Sequence, residues 1–255
     1  MQKVADRLNT FSFDEVVTAG ELERLVGRLI HASAISGTYM GDFWFPLKYT
    51  RRIVNSLNRG QRRTTSPISV PPSVRDGLTK WIQTVQTDRS MSRVVGPARF
   101  TAFVDASTKG WGGVIIDEHS CEITVMGAMW PPGAALHINV LEAKAFALTV
   151  AALPKAAAGG RIRVIVDNTT VQAVARKGVC LANLAINEHV VTSLPHLRTL
   201  NADFTVEWVR SADNPADAPS RIAIRDFDSL PDFNYTLYIS TMLTNAYLPC
   251  CAIRL

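Results

Sequence analysis

The stretch TAFVDASTKGWGGVIID, residues 101–117, limits the possible folds of this chain more than any other stretch. Its apolar run stops at Asp105 and resumes around three glycines, Gly110, Gly112 and Gly113. A continuous apolar run is typical of a strand buried on both faces, where an unpartnered carboxylate is costly. Asp105 therefore either begins a turn or is placed to hold a ligand.

The hydrophobic pattern around this stretch predicts an α/β fold. Three strand-like runs separated by turn residues, RFTAFVDA, GWGGVIID and EITVMGAMW, indicate a meander. The following runs alternate between helix and strand: NVLEAKAFALTVAAL, RIRVIVD, NTTVQAVARKG, LANLAINEHVVTSL, DFTVEWVR and DNPADAPSR. Strands joined through helical crossovers are parallel, whereas hairpin strands are antiparallel. The order βββαβααβα thus predicts a five-stranded mixed sheet with helices packed on it.

The chain before this domain has a different pattern. In residues 21–35, ELERLVGRLIHASAI, apolar residues recur every three or four positions, which predicts an amphipathic helix. The Pro- and Ser-rich run TTSPISVPPS then breaks the pattern. We therefore expect a small helical region over residues 1–63, a linker over 64–95, the α/β domain over 96–222 and a C-terminal tail of unassigned role over 223–255.

A basic segment lies at the end of the helical region. It contains no acidic residue and carries Lys48, Arg51, Arg52, Arg59, Arg62 and Arg63. With a net charge of +5 and a pI near 9.2, the chain fits a phosphate-rich partner. The alternative, a merely solvated basic surface, stays open at this point.

Cysteine usage and hydropathy indicate an intracellular protein, cytoplasmic or nuclear. The four cysteines show no C-x-x-C spacing, and no secretory signal is evident, so we expect a reducing compartment with neither disulfides nor a zinc site. No uncharged apolar run approaches the roughly 18 to 20 residues that cross a bilayer. We expect no membrane partner.

Four acids fall where the predicted topology brings chain segments together. Asp105 ends the first strand and Asp167 ends the fourth, and neighbouring parallel strands finish at the same sheet edge. Glu142 lies at the start of the first helix of the domain, and Asp217 lies in the last helical run. Carboxylates from separate segments suit Mg²⁺, which prefers oxygen ligands, and four acids suit two ions.

Each acid also has an alternative role. Glu142 stands three residues after Asn139, the spacing of a capping box, and Asp167 is placed to cap a helix that starts at Asn168. Asp105 is also suited to an Asx-turn, and Asp217 to a polar surface loop. The sequence alone leaves these alternatives open.

The segments VDASTKGWGGVIID, LEAKAFAL, VIVDNTTV and NPADAPSR, in this order, resemble the four motifs of the ribonuclease H domain of retroelement polyproteins. The resemblance covers about residues 98–222. It is greatest to DIRS-like tyrosine-recombinase retrotransposons and more distant to gypsy-type LTR elements. It implies a ribonuclease H-like fold and hydrolysis of the RNA strand of RNA–DNA hybrids with two Mg²⁺ ions, or Mn²⁺. The implied catalytic and metal-binding acids are Asp105, Glu142, Asp167 and Asp217, with Asp213 left outside the set.

The same resemblance implies how nucleic acid is contacted. The glycine-rich hairpin would allow close backbone approach to the hybrid, and the basic segment would supply grip. The implied contact residues are Lys48, Arg51, Arg52, Arg62, Arg63, Gly112, Gly113 and Asn168. The stretch LERLVGRLIHASAISGTYMGDFWFPLKYTRR is similar to the thumb or connection segment of the same polyproteins, which makes their polymerase part an expected partner.

Some features depart from this family. The run Tyr39-Met40-Gly41-Asp42 lacks the paired acids of a polymerase motif, so we expect no polymerase activity in this chain. No histidine lies between His196 and Asp217 to assist product release. Two other functions remain: a nuclease or transposase of the same fold that acts on DNA, and a catalytically silent module for nucleic-acid binding or assembly.

Overall fold

The computed structural model describes residues 16–87, 96–133, 136–200 and 203–221, which divide into two compact units. The first unit contains the described residues up to 87 together with Val179–Ala182, and the second contains the rest. The predicted C-terminal tail, 223–255, lies outside the described residues. Cys121 and Cys180 are free thiols. Across the described ranges, no helix is both long and apolar enough to cross a bilayer.

The first unit is helical. Its first helix starts with a capping box in which Thr18 accepts from the backbone N–H of Glu21 while the Glu21 carboxylate accepts from that of Thr18, and it ends at Gly37 in the left-handed region, φ 72°. Its core contains a stacked pair, Phe43 and Trp81, with ring centroids 4.8 Å apart. The helices are α1 (Ala19–Ser36), a short 3-10 turn (Met40–Phe43), α2 (Trp44–Asn58) and α3 (Pro72–Thr87).

Helix α3 lies inside the range 64–95 that the sequence predicts as a linker. Val74, Leu78, Trp81 and Val85 are buried in the core of the helical unit, at the three- and four-residue spacing of an amphipathic helix. The Pro- and Ser-rich stretch before α3 forms neither a regular helix nor a strand, and it ends where α3 begins at Pro72. Residues 72–87 therefore belong to the helical unit and not to a linker.

The second unit is built on the predicted mixed sheet. Its strand order is β3-β2-β1-β4-β5, in which β1 pairs in parallel with β4, β4 pairs in parallel with β5, and both hairpin pairs are antiparallel. This arrangement confirms the predicted ribonuclease H-like fold class. The strands are β1 (Phe100–Ala106), β2 (Gly110–Asp117), β3 (Glu122–Met129), β4 (Arg161–Val166) and β5 (Asp203–Trp208). The helices are α4 (Ile138–Ala151), α5 (Thr169–Lys177), α6 (Leu184–Thr199) and α7 (Asp217–Arg221).

Two adjacent glycines of β2 show how helices cover both faces of the sheet. A Cβ atom on Gly112 would lie 2.5 Å from the carbonyl oxygen of Ala216 and 2.7 Å from the backbone nitrogen of Ser220. A Cβ atom on Gly113 would lie 2.6 Å from Oγ1 of Thr149 in α4. Successive residues of a strand point to opposite faces, so α7 packs closely on one face and α4 on the other.

Candidate active site

The register of β1 and β4 brings two of the predicted acids together. Val104 and Val166 are the last paired residues of these parallel strands, and Asp105 and Asp167 each follow one residue later. Both carboxylates therefore lie at the edge of the sheet where these parallel strands end. Asp105 still belongs to β1 and is only 2% exposed.

Glu142 reaches this edge from α4. The helix begins at Ile138, and its N-cap is His137, whose Nδ1 accepts from the backbone N–H of Asn139. Because Asn139 is not the cap, the capping-box alternative for Glu142 is not formed. Glu142 is 5% exposed, and its carboxylate accepts a hydrogen bond from the backbone N–H of Ala106.

Asp105, Glu142 and Asp167 form a cluster, which we call the three-acid cluster. Each offers one carboxylate oxygen, and these oxygens all lie within 4.8 Å of one another. Oδ2 of Asp105 and Oδ1 of Asp167 are buried and have no hydrogen-bond partner. Buried polar atoms are rarely left unpaired, and a carboxylate without a partner is costlier than a neutral group. The cluster is thus a set of ligand atoms that fits a divalent cation.

The pKa values of the cluster reflect burial and mutual repulsion. Burial raises the pKa of Glu142 to about 9, and the charges of Asp105 and Asp167 add to the shift, while the hydrogen bond from Ala106 opposes it. Burial also raises the pKa of Asp105 to about 7, with the charges of Asp167 and Asp217 acting in the same direction. A hydrogen bond from Ser220 opposes that shift. Without a cation, the cluster holds protons at neutral pH.

The alternative roles of the two aspartates in the cluster are taken by their neighbours. Asn168 caps α5, since its Oδ1 accepts from the backbone N–H groups of Thr170 at 2.9 Å and of Val171 at 3.1 Å. Asp167 is therefore not the cap. The turn after β1 is held by Ser107, whose Oγ accepts from two backbone N–H groups, so Asp105 does not form an Asx-turn.

Asp217 lies near the cluster but is bound to another partner. Its Oδ1 accepts from Nη2 of Arg221 at 2.6 Å, and both of its oxygens accept from Nε at 2.9 and 3.0 Å. Its charge still raises the pKa of Asp105. Asp213, the neighbouring acid left outside the predicted set, pairs with Arg210 at 2.6 Å.

The loop before α7 contains a residue that the sequence analysis did not single out. Asn214 is fully buried; its Nδ2 donates to the carbonyl of Val104 at 2.9 Å, and its Oδ1 accepts from the backbone N–H of Ala216 at 3.1 Å. The side chain ties the segment that carries Asp217 to β1. The sequence feature that could have identified Asn214 is its position at the start of the motif NPADAPSR.

Two further groups hold Asp167 in place. The Ser211 hydroxyl donates to Oδ2 of Asp167, and the Trp208 indole N–H donates to the Asp167 carbonyl at 2.9 Å. Trp208 is also one of the large exposed hydrophobic residues of the described chain. With Ser211 on Oδ2, the unpartnered Oδ1 is the atom of Asp167 left to bind a ligand.

The predicted nucleic-acid contacts are placed unevenly. Gly112 and Gly113 are buried under α7 and α4, so the structure does not bring them to an open surface. Asn168 is half-buried, and its Nδ2 donates to Oδ1 of Asn139 at 3.0 Å. Its side chain thus caps α5 and links the start of α5 to the start of α4.

The basic segment lies in the helical unit. Its arginines are exposed on α2 and in the turn after it: Arg51, Arg52, Arg59, Arg62 and Arg63. Lys48 differs from them, since its Nζ donates to the carbonyl of Leu181 and lies 5.3 Å from the centre of the Trp44 ring. The arginines, and not Lys48, are therefore the cations that face solvent.

Comparison with known proteins finds similar solved structures only. No protein-family model and no curated protein matches the sequence. The N-terminal RNase H domain of a Mycobacterium tuberculosis protein, solved as a fusion with maltose-binding protein, is 18% identical, with a TM-score of 0.40 over 48% of this chain and 91% of that one. RNase H1 from Halobacterium salinarum is 15% identical, with a TM-score of 0.40 over 49% and 94%.

A third solved structure matches a larger share of this chain. The foamy viral protease-reverse transcriptase in complex with an RNA/DNA hybrid is 10% identical, with a TM-score of 0.30, and covers 81% of this chain and 27% of that one. The chain thus spans about a quarter of that viral protein.

Proposed function

We propose that this chain is a metal-dependent endoribonuclease that hydrolyses the RNA strand of RNA–DNA hybrids. The observation that carries the proposal is the three-acid cluster, which is held at the strand ends by the β1–β4 register and has two buried oxygens without a partner. A fold needs no such cluster for its stability, because buried like charges repel one another. Such placement is typical of a functional site.

The residues proposed to hold the metal are Asp105, Glu142, Asp167 and Asp217. Mg²⁺ is the proposed ion, with Mn²⁺ as an alternative, because all four ligands are hard carboxylate oxygens. Two such ions supply a nucleophilic hydroxide and stabilise the leaving 3′ oxygen of a phosphodiester when they are bound. The buried environment strengthens these charge interactions relative to water.

The protein's own groups keep this site ordered. Ser211 fixes one oxygen of Asp167 and thereby leaves the other available, and Asn214 holds the α7 segment against β1. The Ala106 N–H stabilises the charged form of Glu142, and the Ser220 hydroxyl donates to the Asp217 carbonyl at 2.8 Å. These contacts preorganise the acids, which reduces the reorganisation that the reaction requires.

Substrate binding is proposed to use two kinds of contact. Exposed arginines of the basic segment would neutralise phosphates without regard to base sequence. Selection for RNA would come from contacts with 2′-hydroxyls in a wide, shallow minor groove. On the motif resemblance, the proposed context is the reverse-transcription machinery of a DIRS-like or gypsy-type retroelement, alongside the polymerase part of the same polyprotein.

A cleavage assay on matched duplexes tests the proposal. The full chain is incubated with RNA–DNA, RNA–RNA and DNA–DNA duplexes of one sequence, in Mg²⁺ and in EDTA, with Asp105→Asn as the inactive control. Cleavage of RNA in the hybrid alone, dependent on Mg²⁺, is the expected result. Cleavage of DNA would favour a nuclease or transposase of the same fold. Binding without any cleavage would favour the silent module and would overturn the proposal.

A further inference from the structure

Arg221 binds both carboxylate oxygens of Asp217. The guanidinium makes three hydrogen bonds of 2.6 to 3.0 Å, and both carboxylate oxygens accept at least one. The two residues are four apart on α7, so the helix itself keeps them together. The Arg221 side chain is 56% exposed and that of Asp217 is 27% exposed, so the pair is open to water on one side.

The other acids of the site are in a different state. Asp105 is 2% exposed, with Oδ2 unpartnered, and Asp167 has an unpartnered Oδ1. These atoms are available to a cation as they stand. Asp217 differs, because a metal ion on its oxygens would compete with the guanidinium that already binds both of them. The site therefore contains vacant ligands and one ligand already bound to a cation of the chain itself.

Arg221 also lies within the electrostatic field of the whole site. Its hydrogen bonds with Asp217 raise the pKa of the guanidinium above its usual value, and the charges of Asp105 and Asp167 act in the same direction. A second divalent ion bound beside this guanidinium would meet a like charge at short range, which disfavours binding while Arg221 stays in place.

We propose that Arg221 is a positioning residue that competes with the second cation for Asp217, so that the site fills in two unequal steps. The first ion binds the three-acid cluster without displacing any group of the protein. The second requires Asp217 and enters only when the guanidinium leaves. Because the pair is partly exposed, the released guanidinium can turn into water. This inference rests on the proposed function for the identity of the site as a metal site.

A neighbouring ion pair provides a matched control. Arg210 and Asp213 are three residues apart, at the same 2.6 Å separation, in the loop just before α7. Asp213 is not among the four acids proposed to hold the metal, and, unlike Asp217, it is not among the charges that act on Asp105. Removing Arg210 therefore changes the charge of the chain by the same amount as removing Arg221, but it frees no ligand.

The test is a titration of the metal-free full chain with Mn²⁺, in which binding is measured by calorimetry and by the electron paramagnetic resonance signal of free Mn²⁺. The wild type is expected to show one tighter and one weaker step. In Arg221→Ala the weaker step should tighten at least about fivefold, a usual size for coupled binding, while the tighter step changes less. Arg221→Lys, which keeps the charge but not the paired donors, should lie between them, and Arg210→Ala should match the wild type.

Two outcomes overturn the inference. The first is an Arg221→Ala variant that melts like the wild type but binds the second Mn²⁺ ion no more tightly than the wild type does. If Arg221→Ala does not fold, Arg221→Gln is judged by the same criterion. The other is a wild type with two steps of equal affinity. Loss of Mn²⁺ binding in Asp105→Asn would show that these acids form the metal site, independently of the role of Arg221. Absence of any Mn²⁺ binding would instead count against the proposed function and the inference together.

Discussion

Asp105 and Asp167 occupy equivalent positions on two neighbouring parallel strands, each one residue beyond the register pair Val104–Val166. This relationship is set by the backbone pairing of β1 with β4. A shift of register by one residue would turn either side chain to the other face of the sheet. The hydrophobic cores on both faces of the sheet thus fix the register and, through it, the site.

Asp167→Asn tests the metal role of this acid most directly. If Asp167 binds Mg²⁺, losing one negative charge removes a hard ligand, and hydrolysis of the hybrid should fall about a thousandfold or more. Folding should be unaffected, because the helix cap is Asn168 and the Ser211 hydroxyl can donate to the amide oxygen. Initial rates in saturating Mg²⁺ and a melting curve measure the two effects.

Asp213→Asn is the control for this substitution. It removes the same charge from a neighbouring acid that pairs with Arg210 and offers no atom to the three-acid cluster. Its rate should stay near that of the wild type. A near wild-type rate for Asp167→Asn itself would contradict the assignment of Asp167 and, with it, most of the case for a metal site.

Much of this arrangement could be predicted from the sequence. Alternating strand and helix patterns are local signals, and right-handed crossovers leave few ways to order the strands. Because Asp105 and Asp167 lie at the ends of parallel strands, they come close together once these strands are neighbours in the sheet, as β1 and β4 are. The first helix is predicted over 21–35 from its apolar spacing, and in the structure it spans Ala19–Ser36 from a capping box at Thr18.

The contacts that complete the site could not be predicted in the same way. The bond from Asn214 to Val104 spans 110 residues, and the engagement of Asp217 by Arg221 depends on where α7 packs. The resemblance implies that the glycines of β2 let the hybrid approach the sheet closely, whereas in the fold Gly112 and Gly113 lie against helices α7 and α4. Glycine shows that something approaches closely, but the sequence does not show what approaches.

Gly112→Ala should disturb the site through this packing. The new methyl group would meet two backbone atoms of the α7 segment at 2.5 and 2.7 Å, and backbone cannot move aside as a flexible side chain can. We expect a loss of about 1 to 3 kcal/mol in the free energy of unfolding, the usual cost of overpacking. Activity should fall as well, because α7 carries Asp217.

Gly27→Ala is the matched control for Gly112→Ala, because it adds the same methyl group at a glycine that no other group contacts closely. Gly27 lies within α1, and a Cβ atom there meets nothing within 4 Å. Alanine should stabilise the helix by up to about 1 kcal/mol. Urea unfolding of both variants measures the contrast. Equal stability of Gly112→Ala and the wild type would show that α7 can move away from β2 without cost.

The basic segment should contribute affinity without contributing to the chemistry. Replacing Arg51, Arg52, Arg62 and Arg63 by Ala should weaken hybrid binding and flatten its dependence on salt, because each phosphate contact adds about 0.9 to the slope. Lys48→Ala should leave the slope unchanged, since Nζ of Lys48 is bound to the carbonyl of Leu181. Fluorescence anisotropy at several salt concentrations measures the slopes. An unchanged slope in the fourfold variant would identify this face as solvated surface only.

The raised pKa values predict that the metal-free protein loses stability as the pH rises. Glu142 has a pKa near 9 in the folded chain against an ordinary value of 4.5, and Asp105 has one near 7 against 3.8. Between the unfolded and folded values the folded state binds more protons than the unfolded state, so the free energy of unfolding falls with pH in that window. The favourable contribution is complete below pH 4 or so and is lost as the pH passes the folded values.

In EDTA, Tm should therefore be lower at about pH 8.5 than at about pH 5.5, by at least about 4 °C if the shifts amount to a few kcal/mol. Glu142→Gln, which cannot ionise, should flatten this dependence and should melt higher than the wild type at the alkaline end. Saturating Mg²⁺ should raise Tm most at the alkaline end, because the ion replaces the protons that the acids would otherwise hold. A Tm that stays level or increases with pH in EDTA would mean that these carboxylates are better solvated than their burial indicates.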